Sequence, residues 1–110
     1  MEAFDLTQIV GLHARSGQSY HEFIRSEYLS CGLYCLAAGS VDPQQPHTED
    51  EIYYVIKGSA TVSVDGEDRL ISEGATIFVA KEVEHRFHTI TEGLTILVIF
   101  APPRRSLAAP

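Results

Sequence analysis

Apolar and polar residues alternate along much of this chain with a period of two, which is the pattern of a β-strand with one buried face. The clearest run is 59–65, in which alanine or valine occupies every second position and serine or threonine stands between them. Asp65-Gly66 then predicts a two-residue hairpin that returns the chain through 67–71. The last run, 94–101, is apolar on both faces, so it predicts a strand in the middle of a sheet.

Short runs of aromatic and β-branched residues, bounded by serine, glycine or proline, extend this pattern over most of the chain. About eight short strands are predicted, at 20–25, 33–38, 51–57, 59–65, 67–71, 75–80, 85–90 and 94–101. Gly58 is expected to separate the strand at 51–57 from the strand at 59–65. Turn signals about every 8–12 residues are typical of an antiparallel sandwich or barrel, so the predicted fold class is all-β.

One short helix is predicted ahead of the strands. Residues 5–14 carry leucine, isoleucine and valine at helical spacing, and Asp5 or Thr7 is placed to cap the first turn. Ser16-Gly17 ends the pattern.

Length and composition favour one globular domain. The 110 residues are enough for one domain and short for two, and the 45% apolar content supports a packed core. The formal net charge is −7 and the eight lysine and arginine residues are scattered, which argues against nucleic acid as a partner. No apolar run reaches the ~20 residues of a membrane helix, and residues 1–10 lack the pattern of a secretion signal. We therefore expect a cytoplasmic protein that contacts no membrane.

The acidic and sulfur-containing residues each admit two interpretations. Asp42, Glu49 and Asp50 could favour a cation, although a solvated loop explains the last two equally well. Cys31 and Cys35 could form half of a zinc site, but burial as small apolar side chains is favoured because no further cysteine exists.

Three candidate metal ligands stand out: His47, Glu51 and His85. On one straight strand the first two would lie about 13 Å apart, so the proline-containing loop 43–50 must fold back to bring their side chains together. Tyr53 shares the face of Glu51 by the period of two. Its hydroxyl could point at a bound molecule, which makes Tyr53 the one catalytic candidate, although aromatic packing in the core explains it as well.

The later strand carries the third candidate ligand. By strand alternation, His85, Phe87 and Thr89 are expected to share one face, and His88 falls on the other. His88 would join the site only if a bulge reversed the alternation.

These residues also carry a family resemblance. The stretch from Gly39 to Gly58, with His47 and Glu51 in register, resembles the first cupin motif, G-x5-H-x-H-x3-4-E-x6-G. The stretch from Gly74 to His85 resembles the second motif, G-x5-P-x-G-x2-H-x3-N. The resemblance implies a jelly-roll barrel, or double-stranded β-helix, with both motifs in a core at 33–101. We therefore expect 1–110 to be a single cupin domain with a flexible tail at 102–110.

The chain departs from the motifs at four positions. Ala80, Glu82 and Thr89 replace a proline, a glycine and an asparagine of the second motif and concern turns or outer contacts. Gln45 stands where the first motif has its first histidine, and a neutral amide oxygen is a weaker ligand than imidazole for first-row metals. Gln45 is therefore expected either to bind the metal weakly or to stand aside.

The resemblance implies one divalent metal ion, such as Fe, Zn, Mn or Ni, held by His47, Glu51 and His85. It also implies a small-molecule ligand, and a homodimer formed through the segment 20–34. Cupins include dioxygenases, isomerases, lyases and binding modules, so the fold does not fix the chemistry. The leading hypothesis is a mononuclear metal enzyme that acts on a small organic molecule. The alternatives are a metabolite-binding or regulatory module without catalysis, and a metal-free structural barrel, which only Gln45 favours.

Overall fold

The computed structural model describes residues 1–109, which form one helix and six strands. The elements are helix α1 (Leu6–Ser16) and strands β1 (Tyr20–Arg25), β2 (Ser30–Leu36), β3 (Asp50–Val64), β4 (Glu67–Ile71), β5 (Thr76–Val79) and β6 (His85–Ala101). All the strand pairs are antiparallel, in the order β1-β2-β6-β3-β4, and β5 pairs with β3. The predicted all-β class with a short N-terminal helix is confirmed.

Two long strands determine the shape of the barrel. β3 pairs with β6 along nearly its whole length, from Asp50 opposite Ala101 to Val64 opposite His85. The first half of β3 also pairs with β5 and its second half with β4, so the two halves belong to different walls. The curled pair encloses the core of a double-stranded β-helix, whose buried members include Tyr53, Val55, Val62, Phe87, Leu94, Ile96, Val98 and Phe100.

The bend in β3 occurs at Gly58, where the sequence predicted a break. Gly58 has a φ of 101°, and a Cβ atom there would lie 2.2 Å from the carbonyl oxygen of Gly93 on β6. Only glycine tolerates both the backbone angle and the close approach. Register shifts between 55 and 61 accommodate the bend without ending the strand. The prediction of eight strands is therefore wrong: two predicted pairs of short strands are the continuous strands β3 and β6.

Helix α1 lies against β1 and β2 on the outside of the barrel. Asp5 is its N-cap and Thr7 is not, because the backbone N–H of Asp5 donates to Oε1 of Gln8 at 2.8 Å in a capping box. The helix continues to Ser16, and Gly17 ends it in the left-handed conformation. Within residues 1–109, this helix is too short and too polar to cross a membrane.

The segment 102–109 folds back against the barrel, and the expectation that 102–110 is a flexible tail stays a prediction. Pro103 is buried, and the backbone N–H of Arg104 donates to Oγ of Ser30 on β2 at 2.9 Å. Local turn hydrogen bonds follow, from Ser106 to Pro103 and from Ala108 to Arg105. Polar acceptors distant in sequence hold the segment, which is why its composition gave no sign of order. Pro110 lies outside the described residues.

Both cysteines are free thiols on β2, Cys31 buried and Cys35 partly buried. Burial raises the pKa of the Cys31 thiol to about 11, which keeps it protonated and unreactive at neutral pH.

Candidate metal centre

The side chains of His47, Glu51 and His85 meet inside one end of the barrel. One donor atom from each residue lies within 4.8 Å of the other two. Oε1 of Glu51 is 2.9 Å from Nδ1 of His47 and 2.9 Å from Nε2 of His85. Glu51 and His85 are buried, and His47 is partly buried on the side that faces a cavity. The structure thus brings together the three residues that the sequence singled out.

Two features of the chain produce this convergence. The loop before β3 folds back, and the carbonyl oxygen of His47 accepts a hydrogen bond from the backbone N–H of Glu82 at 2.7 Å. Glu51 lies next to the start of β3, whereas His85 pairs by register with Val64 at the far end of that strand. Because β3 bends between these two points, the start of β6 returns to face the start of β3.

The buried polar atoms of the cluster suit a cation. Nδ1 of His85 lies 2.9 Å from the carbonyl oxygen of Val83, which can only accept, so Nδ1 carries the proton of a neutral ring. Nε2 then presents a lone pair. The Nε2 of His85 and Oε2 of Glu51 are both buried, and within residues 1–109 neither has an aligned hydrogen-bond partner, despite the short distance from Nε2 to Oε1 of Glu51. A divalent cation would satisfy an imidazole lone pair and a carboxylate oxygen together, so these residues fit a metal ion.

The pKa values of the cluster shift in opposite directions. Burial alone raises the pKa of the Glu51 carboxyl, but contacts with His47 and His85 lower it more, so the net pKa lies below its ordinary value. Burial alone lowers the pKa of His85, but Glu51 and the carbonyl oxygen of Val83 raise it more, and the net pKa lies above the ordinary value. A proton that binds to Nε2 of His85 would therefore occupy the place that a cation would take.

Tyr53 lies beside the cluster as part of a buried hydrogen-bond network. Its hydroxyl donates to Oε1 of Gln44 at 2.7 Å, and Nε2 of Gln44 donates to Oδ2 of Asp42 at 2.7 Å. Asp42 also accepts from the Tyr34 hydroxyl at 2.7 Å and from the backbone N–H of Phe87 at 2.9 Å. Burial, and secondarily the charge of Glu51, raises the pKa of Tyr53 well above its usual range, so its hydroxyl remains a donor. The aromatic packing role of Tyr53 is also present, since its ring packs on Phe87.

Sequence reasoning missed Gln44 and gave Asp42 no structural role. The available signal was indirect: two tyrosines at inward positions, Tyr34 and Tyr53, need acceptors for their hydroxyls. The neighbouring Gln45 is exposed and lines the cavity close to His47. Its role as a weak ligand therefore stays a prediction.

His88 and Thr89 lie outside the cluster. The ring of His88 contacts Oγ1 of Thr89 at 2.9 Å and a carboxylate oxygen of Asp68 at 3.4 Å. Thr89 has a φ of 50° and is exposed, and burial resumes at Ile90. The expectation that Thr89 shares the buried face of His85 is wrong, because this irregular residue interrupts the alternation. The irregularity comes after His88, so it leaves His88 on the outer face.

A cavity of about 570 Å³ opens beside the cluster. His47 and Tyr53 form part of its wall, together with Gln44 and Gln45. The remaining lining includes three aromatic rings, from Tyr20, Tyr34 and Phe100, two cationic residues, Arg104 and Arg105, and the carboxylate Glu49, among small and apolar residues. The guanidinium of Arg104 lies 4.7 Å from the centre of the Tyr20 ring. A volume of this size accepts a small organic molecule.

The fold and this cluster define a class of protein, and the chain belongs to the cupin domain family, whose profile matches residues 32–100. It is 40% identical over 103 residues to the uncharacterized protein SCO3923 of Streptomyces coelicolor, an alignment that spans 94% of this chain and 98% of that protein. It is also 30% identical over 69 residues to the pectin degradation protein KdgF of Dickeya dadantii, and this match spans 62% of the chain and 63% of that protein.

Solved structures of low sequence identity share the fold. The TT1209 protein of Thermus thermophilus superposes with a TM-score of 0.71 at 23% identity, over 94% of this chain and 99% of that one. KdgF from Halomonas sp. superposes with a TM-score of 0.68 at 21% identity, over 76% of each chain. An RmlC-like cupin of Shewanella frigidimarina gives a TM-score of 0.67 at 21% identity, over 76% of this chain and 74% of that one.

Proposed function

We propose that this cupin holds one divalent metal ion through His47, Glu51 and His85 and acts as a mononuclear metal enzyme on a small organic molecule. The observation that carries the proposal is the pair of buried atoms, Nε2 of His85 and Oε2 of Glu51, that have no aligned partner among residues 1–109 and lie next to a cavity of about 570 Å³. Two imidazoles and one carboxylate form the ligand set of several catalytic Fe and Zn sites, and they also accept Mn or Ni.

The surrounding residues support catalysis in specific ways. A bound divalent metal supplies a Lewis acid that polarises an oxygen atom of the substrate. Tyr53 holds a protonated hydroxyl at the cavity wall, where it can donate a hydrogen bond to a bound molecule after exchanging its present partner, Gln44. Gln44 in turn is positioned by Asp42. Dioxygenase-like and isomerase-like reactions both suit such a site.

The chemistry of the cavity and the names of two relatives point to the same ligand class. Arg104 and Arg105 bring positive charge to a wall that also contains hydroxyl, amide and aromatic groups, and its carboxylate, Glu49, is occupied by the backbone N–H groups of Arg105 and Leu107. Two similar proteins are named KdgF, one of them a pectin degradation protein, and pectin is a polymer of sugar acids. We therefore propose a small hydroxylated carboxylic acid as the ligand.

Two other functions have specific support. A metabolite-binding or regulatory module without catalysis is favoured because the hydroxyl of Tyr53 already donates to Gln44, and the carboxylate of Glu49 in the cavity wall already accepts two backbone N–H groups. A metal-free structural barrel is favoured by Gln45, the weak donor at a histidine position. Against the second stands the burial of Oε2 of Glu51, which has no hydrogen-bond partner within residues 1–109, since a buried carboxylate oxygen without a partner is costly.

We also propose a cytoplasmic homodimer. β1 is an edge strand of the described sheet, and Tyr28 and Leu29 in the turn after it are exposed apolar residues. An open strand edge beside exposed apolar side chains favours pairing with a second copy across a two-fold axis.

Metal analysis combined with turnover tests this proposal. Protein purified without a histidine tag or added metal is expected to carry roughly one divalent ion per chain. The loaded protein is then incubated with galacturonate and related sugar acids, and isomerised or oxidised products are sought by NMR. Metal binding without any product would favour the binding module, and absence of metal at neutral pH would favour the structural barrel.

A further inference from the structure

Glu49 is a buried carboxylate outside the proposed metal cluster. Only 1% of its surface is exposed, which excludes the solvated loop that was one of the two interpretations of this position. Its Oε1 accepts the backbone N–H of Arg105 at 2.6 Å, and its Oε2 accepts the backbone N–H of Leu107 at 3.1 Å. The hydroxyl of Thr48 donates to Oε2 as well. One carboxylate thus binds two successive turns of the segment 104–109.

That segment forms one wall of the cavity. Arg104, Arg105, Ala108 and Ala109 line the same cavity as His47 of the metal cluster. Arg104 adds three further anchors: its backbone N–H donates to Oγ of Ser30, its carbonyl oxygen accepts from the guanidinium of Arg25, and its own guanidinium lies over the ring of Tyr20. The contents of the cavity are therefore separated from solvent on this side by a short piece of chain.

The wall is held by polar contacts more than by apolar burial. The side chains of residues 105–109 are all exposed, and Leu107 keeps 57% of its surface accessible. A segment with few buried apolar contacts opens at a lower free-energy cost than the barrel strands. Hydrogen bonds to a charged acceptor are roughly twice as strong as neutral ones, so Glu49 supplies much of what keeps the segment closed.

We infer that Glu49 is a positioning residue that holds the segment 104–109 as a movable wall of the cavity and so controls which molecules reach the metal centre. The inference rests on the proposed function, because control of access to the cluster matters only if the cluster binds a metal ion. Glu49 lies between His47 and Glu51 in the sequence, on the short stretch that supplies two of the three candidate ligands. Two peptide bonds separate Glu49 from His47 and two separate it from Glu51. A movement of the segment 104–109 that displaces Glu49 therefore also acts on these two candidate ligands.

Hydrogen exchange of the metal-free protein, 110 residues long, tests whether Glu49 holds the segment 104–109 closed, and this test does not depend on metal binding. In Glu49→Gln, one amide oxygen replaces two carboxylate oxygens, so at least one of the two backbone donors loses its acceptor. The amides of residues 105 and 107 are expected to exchange at least about tenfold faster, with the strand amides unchanged. Asp50→Asn is the matched control, because Asp50 is exposed and accepts a backbone N–H from Lys81, away from this wall.

A second variant allows the test to proceed even if Glu49→Gln does not fold. Ser30→Ala removes the acceptor for the N–H of Arg104 and leaves Glu49 intact, and it is expected to accelerate the same amides by a smaller factor. The inference is overturned if residues 105 and 107 exchange as slowly in both variants as in the unaltered protein. It is equally overturned if exchange rises uniformly over the barrel, since Glu49 would then be a general structural residue.

Access to the centre is read from the rate at which EDTA removes Co²⁺ from the loaded protein. Glu49→Gln is expected to release Co²⁺ several-fold faster than the unaltered protein and Asp50→Asn. Failure of every protein to bind Co²⁺ would refute the proposed function. The hydrogen-exchange data alone would then decide whether Glu49 holds the segment 104–109. Binding of Co²⁺ with identical release rates in all three proteins would refute the control of access by Glu49.

Discussion

The Nε2 atom of His85 lies 2.9 Å from Oε1 of Glu51, although the two residues stand at opposite ends of the ladder between β3 and β6. The short distance depends on the bend that carries β3 from one wall of the barrel to the other. Any change that straightens this bend separates the two side chains without altering either of them.

Removal of candidate ligands is the first prediction. His47→Ala and His85→Ala are each expected to lower metal affinity by more than about 100-fold, since even residues that only orient ligands contribute roughly 10–100-fold. Metal content is measured by elemental analysis after dialysis. His88→Ala is the matched control, because His88 contacts Thr89 and Asp68 outside the cluster. Stoichiometric metal in the His47→Ala, His85→Ala double variant would place the site elsewhere.

The second prediction concerns pH and metal affinity. The pKa of His85 is raised above its ordinary 6.5, so protons compete with the metal for Nε2 up to and somewhat above that pH. Metal affinity is therefore expected to rise with pH through this range and then level off. Isothermal titration in buffers of different ionisation enthalpy should detect proton release on binding. An affinity that stays constant between about pH 5.5 and about pH 8, which brackets the ordinary histidine pKa, would contradict this account.

Stability of the metal-free protein completes the second prediction, and the contribution of His85 to it follows the opposite trend to metal affinity. The raised pKa of His85 adds stability that is full below 6.5 and is lost as pH rises through its folded-state pKa. The lowered pKa of Glu51 adds stability that is full above 4.5 and is lost as pH falls through its folded-state pKa. Urea unfolding is therefore expected to show the largest contribution of this pair between pH 4.5 and 6.5, and Glu51→Gln is expected to remove it.

Gln45 provides the third prediction. Imidazole is a better donor than a neutral amide for divalent first-row metals, so Gln45→His is expected to raise metal affinity and to alter or reduce activity by filling a position at the cavity wall. Gln45→Ala is expected to cost little, because the side chain is exposed. Metal titrations of the three proteins side by side check this. Equal affinities would mean that position 45 does not reach the metal.

The fourth prediction tests the bend at Gly58. Gly58→Ala forces a Cβ atom into the carbonyl oxygen of Gly93 and a positive φ onto alanine, so a loss of more than about 3 kcal/mol in unfolding free energy is expected. Gly66→Ala is the control, since Gly66 also has a positive φ but its Cβ would meet open space, and it should cost about 1 kcal/mol. Chemical denaturation compares them. Similar losses in both variants would show that the close approach to β6 has no energetic weight.

Assembly is the fifth prediction. Sedimentation velocity at micromolar concentration is expected to show a dimer, and Tyr28→Asp should dissociate it, because Tyr28 is 76% exposed beside the edge strand β1. Phe78→Asp is the control, as Phe78 is 60% exposed on β5. Dissociation by Phe78→Asp alone would move the interface to the outer face of β3 and β5, and a 12.1 kDa particle from the unaltered protein would exclude the dimer.

The sequence was informative where local pattern decides structure. Strand alternation and motif spacing singled out His47, Glu51 and His85, whose side chains the structure brings together. The continuity of β3 through Gly58 was not predictable, since it depends on how closely Gly93 approaches. The role of Glu49 was hidden for the same reason: its partners are backbone donors at positions 105 and 107, and backbone donors leave no mark on composition.

The separation of His85 from the other two candidate ligands has a thermodynamic consequence. His47 and Glu51 are close in sequence and can approach each other locally, but His85 joins them only after β6 has paired along the whole of β3. An unfolded chain therefore offers a metal ion only weak, partial coordination. A metal that binds the native state selectively raises the midpoint of thermal unfolding in proportion to the logarithm of its free concentration. The concentration dependence of that midpoint would thus report how much more metal the folded protein binds than the unfolded chain.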